Sequence, residues 1–341
     1  MTPPQPTVSV LIPAYNREAY VGAAIRSVLG QTFDDLELIV VDDGSTDGTA
    51  REIAAFSDPR LRWLTQRNAG PSAAMNTGLR AARGRYLARL GSDDLWLPEF
   101  LAVQVGLLER RPDVGLVYCR AEAMDAAGEP LPDIWGKPLR YPGDTLRSML
   151  YEDCTCDITV VVRREIIERS GMYDESLSRS IDWDMWLRAA RHCEFAFTDQ
   201  VLARFRRHPG NLTGTAFNDV RLACRERVLD KVFADPTLPD DAKAMRPLAY
   251  RNLQVEAALS WLALGRRDHA LAALARAVGA GAGPLPTVSR FLWFATLRRR
   301  LVGHPLGRRL DVWQSTARQR LREARAAGAA PRGRGRGSEF S

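Results

Sequence analysis

Apolar and polar positions along the first half of the chain switch between two periods. VSVLIP (8–13) is continuously apolar and predicts a buried strand, while AYVGAAIRSVLG (19–30) turns Ala23, Ile25, Val28 and Leu29 toward one side of a helix. LELIVVD (36–42) is again a continuous run, and TDGTAREIAAF, RLRWL, PSAAMNTGLRAA and RYLARL carry the alternation onward. Strands that are apolar throughout and separated by helices predict a mostly parallel sheet covered on both faces, an α/β doubly wound layout. Residues 114–215 mix short strands (GLVYCR, DITVVVRR, EFAFTD) with helices and a Pro/Gly-rich loop at 128–143. After Phe217 the pattern is helical: AYRNLQVEAALSWLALGRRDHALAALARAVGAG reads as a helix, a turn at Gly265 and a second helix, with no further copy to make an array.

Composition adds little to this picture, and charge adds one thing. The chain has 341 residues, 45% of them hydrophobic and 26% charged, which suits a globular protein with a sizeable core. Its net charge of +7 is unevenly placed, because 13 Arg against three acids give Thr287–Ser341 a balance of +10 and leave −3 for the rest. The basic character therefore belongs to a tail, where RFLWFATLRRRL (290–301) has the makings of an amphipathic anchor for an anionic membrane surface. PRGRGRGSEFS is low-complexity and predicts disorder over 331–341. No recognised module accompanies the charge, so nucleic acid is not an expected partner. The five cysteines form no CxxC pair and predict reduced thiols; Cys154 and Cys156, two apart, are expected to pack on one face of a strand. The N-terminal MTPPQPTVSVLIP lacks the features of a signal peptide, and no run reaches the roughly 20 apolar residues that span a bilayer. A cytoplasmic protein is expected, at most peripheral on the inner face of the cytoplasmic membrane.

In doubly wound sheets ligands bind beyond the carboxyl ends of the strands. Three such ends are polar here: Pro13–Asn16, Asp42–Asp47 and Gly91–Asp94. In PAYN (13–16), Tyr15 offers an aromatic face to a planar base, and Asn16 a hydrogen bond to a ligand or to its own loop. In VDDGSTDGT (41–49), Asp47 suits a helix cap and Asp43 suits an imino or ribose hydroxyl proton. The chain lacks both GxGxxG after the first strand and GxxxxGK[ST], so a bound diphosphate needs another counter-charge. A divalent cation held by Asp93 or Asp94 is the simplest one, since hard oxygen ligands suit Mg²⁺ or Mn²⁺. In SIDWDMWLR, Ser180 is placed to cap a helix that buries Trp183, Trp186, Leu187 and Ala190, with Asp182 and Asp184 in its first turn.

SVLIPAYN, VVDDGSTDGT, QRNAG, GRYLARLGSDDLWLP, GMYDESL, DWDMWLR and FRRHPGN, in that order over about residues 7–215, resemble the inverting family-2 glycosyltransferases of the GT-A fold. That resemblance implies a Rossmann-like mixed sheet flanked by helices, followed by an α-helical C-terminal region. It implies transfer of a sugar from a nucleoside-diphosphate sugar, UDP or dTDP favoured, to a glycan or glycolipid hydroxyl, with Mn²⁺ or Mg²⁺, in bacterial surface polysaccharide or glycolipid synthesis. Matched position by position, it puts Tyr15 and Asp43 at the base, with Pro13, Ala14, Asn68 and Gly70 around them. Asn16, Asn76, Ser92 and Arg206 fall on the donor side, Asp93 at the metal with His208 as a second candidate ligand, and Asp182 as catalytic base. Asp94 falls to the loop or the acceptor side, and Asp184 to helix structure. The sequence departs from the family at Gly91, Ile181 and Met75, where an Asp, a Glu and an Arg are usual. Gly91 and Ile181 keep a catalytically silent nucleotide-sugar binder or scaffold as the rival reading. The expected division is a GT-A domain over 1–217, with halves at about 1–113 and 114–217, then a helical region over 218–330 and the tail.

Overall fold

The computed structural model describes residues 5–211 and 219–282; the segment 290–301 and the tail 331–341 lie outside them. The predicted alternation is present as β1 (Val8–Ala14), α1 (Val21–Leu29), β2 (Leu36–Asp42), α2 (Thr49–Ala54), β3 (Leu61–Thr65), α3 (Pro71–Ala81) and β4 (Tyr86–Arg89). These four strands are parallel, in the order β3-β2-β1-β4, with Ala14 level with Asp42. Every residue of β2 is buried, and its two charged side chains, Glu37 and Asp42, are matched by neighbours; Asp42 accepts the Ser45 N–H at 2.9 Å. Glu37 accepts from Ser9 Oγ at 2.7 Å and pairs with Arg62 and Arg83.

The chain continues through β5 (Leu95–Trp96), α4 (Phe100–Arg110), β6 (Val114–Met124), β7 (Pro130–Trp135), α5 (Thr145–Tyr151), β8 (Val161–Arg163), α6 (Arg164–Ser170), α7 (Ile181–Ala189) and β9 (Glu194–Arg206). Their strands extend the sheet as β4-β8-β6-β9-β5, and β8 runs antiparallel to both β4 and β6, so the sheet is mixed. One face buries Val21, Ile25, Val28, Phe100, Leu101 and Leu108 from α1 and α4. On the other face α3 packs over β1 and β2.

Two expectations change here. The segment 128–143 is not all loop, because Pro130–Trp135 pairs antiparallel with β6. Proline is tolerated in a strand that needs partners on one side only. DITVVVRR is strand only from Val161; Asp157–Thr159 is a turn of 3-10 helix. Cys154 and Cys156 therefore sit in irregular backbone before that turn, and all five cysteines are free thiols.

After the sheet come α8 (Asp219–Ala234), α9 (Asp240–Lys243), α10 (Arg246–Ala263) and α11 (Arg267–Ala277), and the turn between the last two has Gly265 at φ +74°, a conformation that favours glycine. They belong to the same compact unit as the sheet, which runs to Thr287, and α10 packs against α5 and α8. No helix among the described residues is long and apolar enough to cross a membrane.

Candidate active site

The ends of β1 and β2 form one wall. Tyr15 stands out from the β1 end with 44% of its surface exposed, the position a stacking platform needs. Pro13 is half-buried and Ala14 buried, and the Ala14 carbonyl accepts the Asp43 N–H at 2.8 Å. Asn16, at φ +51°, spends its side-chain oxygen on the Thr46 N–H and so holds the facing turn. Asp47 accepts the Thr49 N–H at the start of α2. Asp43 is buried, and its carboxylate accepts from Gln66 Nε2 (2.7 Å), the Ala69 N–H (2.9 Å) and the Gly70 N–H (2.9 Å). It thus pins the 66–70 loop, with exposed Asn68, to the end of β2.

The second wall is the loop after β4. Asp93 Oδ2 lies 3.3 Å from Arg17 Nε and 2.9 Å from His208 Nε2, with Asn211 Nδ2 at 3.5 Å. The His208 tautomer follows from its second nitrogen: Gly210 donates its N–H to Nδ1 at 3.1 Å, so the ring proton sits on Nε2 and is donated to Asp93. Arg17 also reaches the carbonyls of Tyr15, Asn16 and Gly210, which joins the first loop to the 208–211 turn. Asp93 Oδ1 is left open among the described residues. No three His, Cys, Asp or Glu side chains converge as a ready-made metal cage among those residues.

Arg206, expected on the donor side, is turned inward. It is 5% exposed, and its guanidinium donates to the carbonyls of Asp93 (2.8 Å) and Ala126 (3.0 Å) while its N–H goes to Asp94 Oδ1 (2.9 Å). Buried carbonyls need donors, and Arg206 supplies them. Asp94 is enclosed in the loop with Ser92, and burial, reinforced by the charge of Asp93, pushes its carboxyl well above the usual range.

Gly91 is explained by the same enclosure. A Cβ placed there would lie 2.2 Å from Asp94 Oδ2 and 3.0 Å from Asp93 Oδ1, so Asp94 occupies the space an acid at 91 would need. Gly91→Ala is expected to cost about 1–3 kcal/mol through overpacking and to weaken donor binding as the Asp93 loop shifts. Chemical denaturation read alongside nucleotide titration checks this; unchanged stability would show that the loop yields freely.

The segment after residue 113 brings its own acids. Asp182 lies half-buried in the first turn of α7 and accepts the Trp183 N–H at 2.9 Å. Ser180 does not cap this helix: it sits at φ +56° and its side chain makes no capping bond. Asp184 is structural, paired with Arg188 (2.8 Å) and Lys231 (2.7 Å) and buried. Asn76 is likewise committed inside the protein. It donates to the Tyr173 carbonyl and to Glu175 and accepts the Tyr173 N–H, tying α3 to the GMYDESL segment.

Two links join the halves. Cys156 lies between them: burial pushes its thiol well up, and the charges of Asp94, Asp153 and Asp182 push the same way. Asp157 pairs with Arg89, at the end of β4, and accepts from Trp186 Nε1 of α7 at 3.1 Å. Sequence reading missed Arg17, Asp153 and Asp157. The only signals for them were a cation directly after PAYN and two acids flanking the cysteines of EDCTCDI.

Comparison with known proteins bears on this geometry. The profile described as "Glycosyl transferase family 2" matches residues 9–171. An uncharacterized glycosyltransferase of Rickettsia prowazekii is 32% identical over 221 residues, covering 63% of this chain and 68% of the relative. Chondroitin synthase of Escherichia coli is 33% identical over 200 residues, 58% of this chain and 28% of that protein. Among solved structures, S. aureus TarS 1-349 in complex with UDP-GlcNAc aligns with a TM-score of 0.62 at 18% identity, covering 80% of this chain and 81% of that one. The mannosyltransferase PcManGT from Pyrobaculum calidifontis, in complex with GDP-Man and Mn2+, aligns with a TM-score of 0.53 at 22% identity, covering 87% and 83%. The doubly wound half, the acid loop at its carboxyl edge and these relatives agree, and the chain belongs to glycosyl transferase family 2.

Proposed function

We propose that this glycosyltransferase moves a sugar from a nucleoside-diphosphate sugar, UDP or dTDP favoured, to an acceptor hydroxyl with inversion. The observation that carries the reading is Asp93, an acid with one oxygen open among the described residues, at the carboxyl edge of the parallel strands, facing Arg17 and His208. Tyr15 would stack on the base, with Asp43 holding the Asn68–Gly70 rim beside it. Asp182 would take the acceptor proton as the acceptor oxygen bonds the anomeric carbon and the bond to the diphosphate breaks. One displacement needs one base and no covalent nucleophile.

The donor set suits a small hard cation. Mg²⁺ and Mn²⁺ sites commonly use one or two carboxylates and leave the remaining positions to phosphate and water, which is what Asp93 offers; His208, with Nε2–H given to Asp93 and Nδ1 to the Gly210 N–H, has no free nitrogen for the ion in this arrangement. A bound ion would neutralise charge on the departing diphosphate. The Mn2+ and GDP-Man in PcManGT and the UDP-GlcNAc in TarS support a nucleotide-sugar donor and divalent metal use. Surface polysaccharide or glycolipid synthesis, and docking of the basic C-terminus on anionic lipid, extend the proposal from family and charge.

The test is release of sugar from a panel of UDP-, dTDP- and GDP-sugars with Mn²⁺. Expected is release above background with one base preferred, lost on chelation. Tight nucleotide binding without release or transfer would favour the silent binder instead.

A further inference from the structure

Asp153 is a largely buried acid, its side chain 16% exposed, in the loop that follows α5. Its partner comes from the helical region: Arg225 of α8 reaches Asp153 Oδ2 at 3.2 Å and Glu256 of α10 at 2.6 Å. The same guanidinium lies 5.0 Å from the ring of Trp183, the residue after Asp182. We propose that the helical C-terminal region completes the acceptor side of the active site, with Arg225, held by Glu256, positioning Asp153 and setting the charge around Asp182. This rests on Asp182 being the base.

The charges facing this pair come from several elements. Asp153 meets Arg225, Glu256 and Asp182, and accepts from Thr155 Oγ1 at 3.0 Å. The charge of Asp153 also acts on Tyr118 and Cys154, which are themselves influenced by Glu152 of the Lys137–Glu152 pair. The charge of Asp182 also acts on Arg221, Arg225, Tyr173 and Cys156. Burial pushes the Asp153 carboxyl up to about 6; Arg225 pulls it back down, and the charge of Asp182 adds to the rise. A negative charge on Asp182 thus opposes ionisation of Asp153. The reactive form is the one with both ionised, because the charge of Asp153 then strengthens Asp182 as a base. The proton taken from the acceptor hydroxyl resides on the pair and passes to water as product leaves. Arg225 favours the ionised form of Asp153.

The pH dependence of kcat/KM tests this in the full-length protein, with thermal melts as a check on folding. The wild-type acid limb should fall near 6. Arg225→Met removes the positive charge, favours protonation of both carboxylates, and should move the limb up by about 1 pH unit; Arg225→Lys should restore it. Asp153→Asn removes the neighbouring negative charge, so the limb should move down, with a lower plateau. Limbs that stay put while activity falls would overturn the proposal and leave Arg225 a packing residue. If Arg225→Met does not fold, the direction of the Asp153→Asn limb decides alone. Asp182→Asn is measured in parallel: turnover retained there removes the base reading and this inference with it, whereas turnover lost with unmoved limbs removes only the inference.

Discussion

Asp182→Asn is expected to lower transfer by about 10²–10⁴-fold, the usual contribution of a positioned general base, while donor affinity stays within a few-fold of wild type. The side-chain oxygen that accepts the Trp183 N–H survives in the amide, so the start of α7 is kept. What is lost is the capacity to take a proton. Asp184, two residues on, is unsuited to that task, because its two oxygens are held by Arg188 and Lys231. Single-turnover rates with a saturating donor, together with calorimetric donor binding, separate the two quantities. Turnover within tenfold of wild type would take Asp182 out of the reaction.

Asp93→Asn should act on the donor side instead. The amide is a poor ligand for a hard cation, and it can no longer neutralise the Arg17 guanidinium 3.3 Å away. Charge stabilisation of the departing diphosphate is worth several kcal/mol, which at about 1.4 kcal/mol per tenfold predicts a loss in kcat/KM above roughly 10²-fold. The thermal upshift given by nucleotide plus Mn²⁺ should shrink to that given by nucleotide alone. A variant that keeps the full Mn²⁺-dependent upshift would show that the cation is held elsewhere. The Asp182 and Asp93 variants thus fail in different assays, one at chemistry and one at metal-dependent binding.

The alternation from β1 to β4 was legible because β1 and β4 are buried along nearly their whole length and β2 completely; β3, at the sheet edge, is half-buried to exposed and was read from RLRWL alone. The edge strand β7 was not, since Pro130 and Pro132 read as loop and only pairing with β6 makes them strand. DITVVVRR was over-read because Asp157 bends away to meet Arg89, a partner 68 positions earlier in the chain that local patterning cannot reveal. The same limit separates the position of a site residue from its task. Asn76 and Arg206 lie in family motifs, yet their polar atoms are committed to backbone and side-chain partners inside the protein. Arg17 went unnoticed because a lone cation beside a loop ordinarily reads as a solvated surface group.

The Arg89–Asp157–Trp186 bond chain bears on how such an enzyme can be recombined. Arg89 lies before residue 113, while Asp157 and Trp186 lie after it, so the two contacts cross the expected boundary between donor and acceptor halves. A chimera that joins this donor half to a foreign acceptor half, cut at about residue 113, would leave Arg89 facing whatever the new half carries at those two places. Exchange of specificity by swapping halves should therefore succeed only when all three positions travel together, which makes them a compatibility key for grafting.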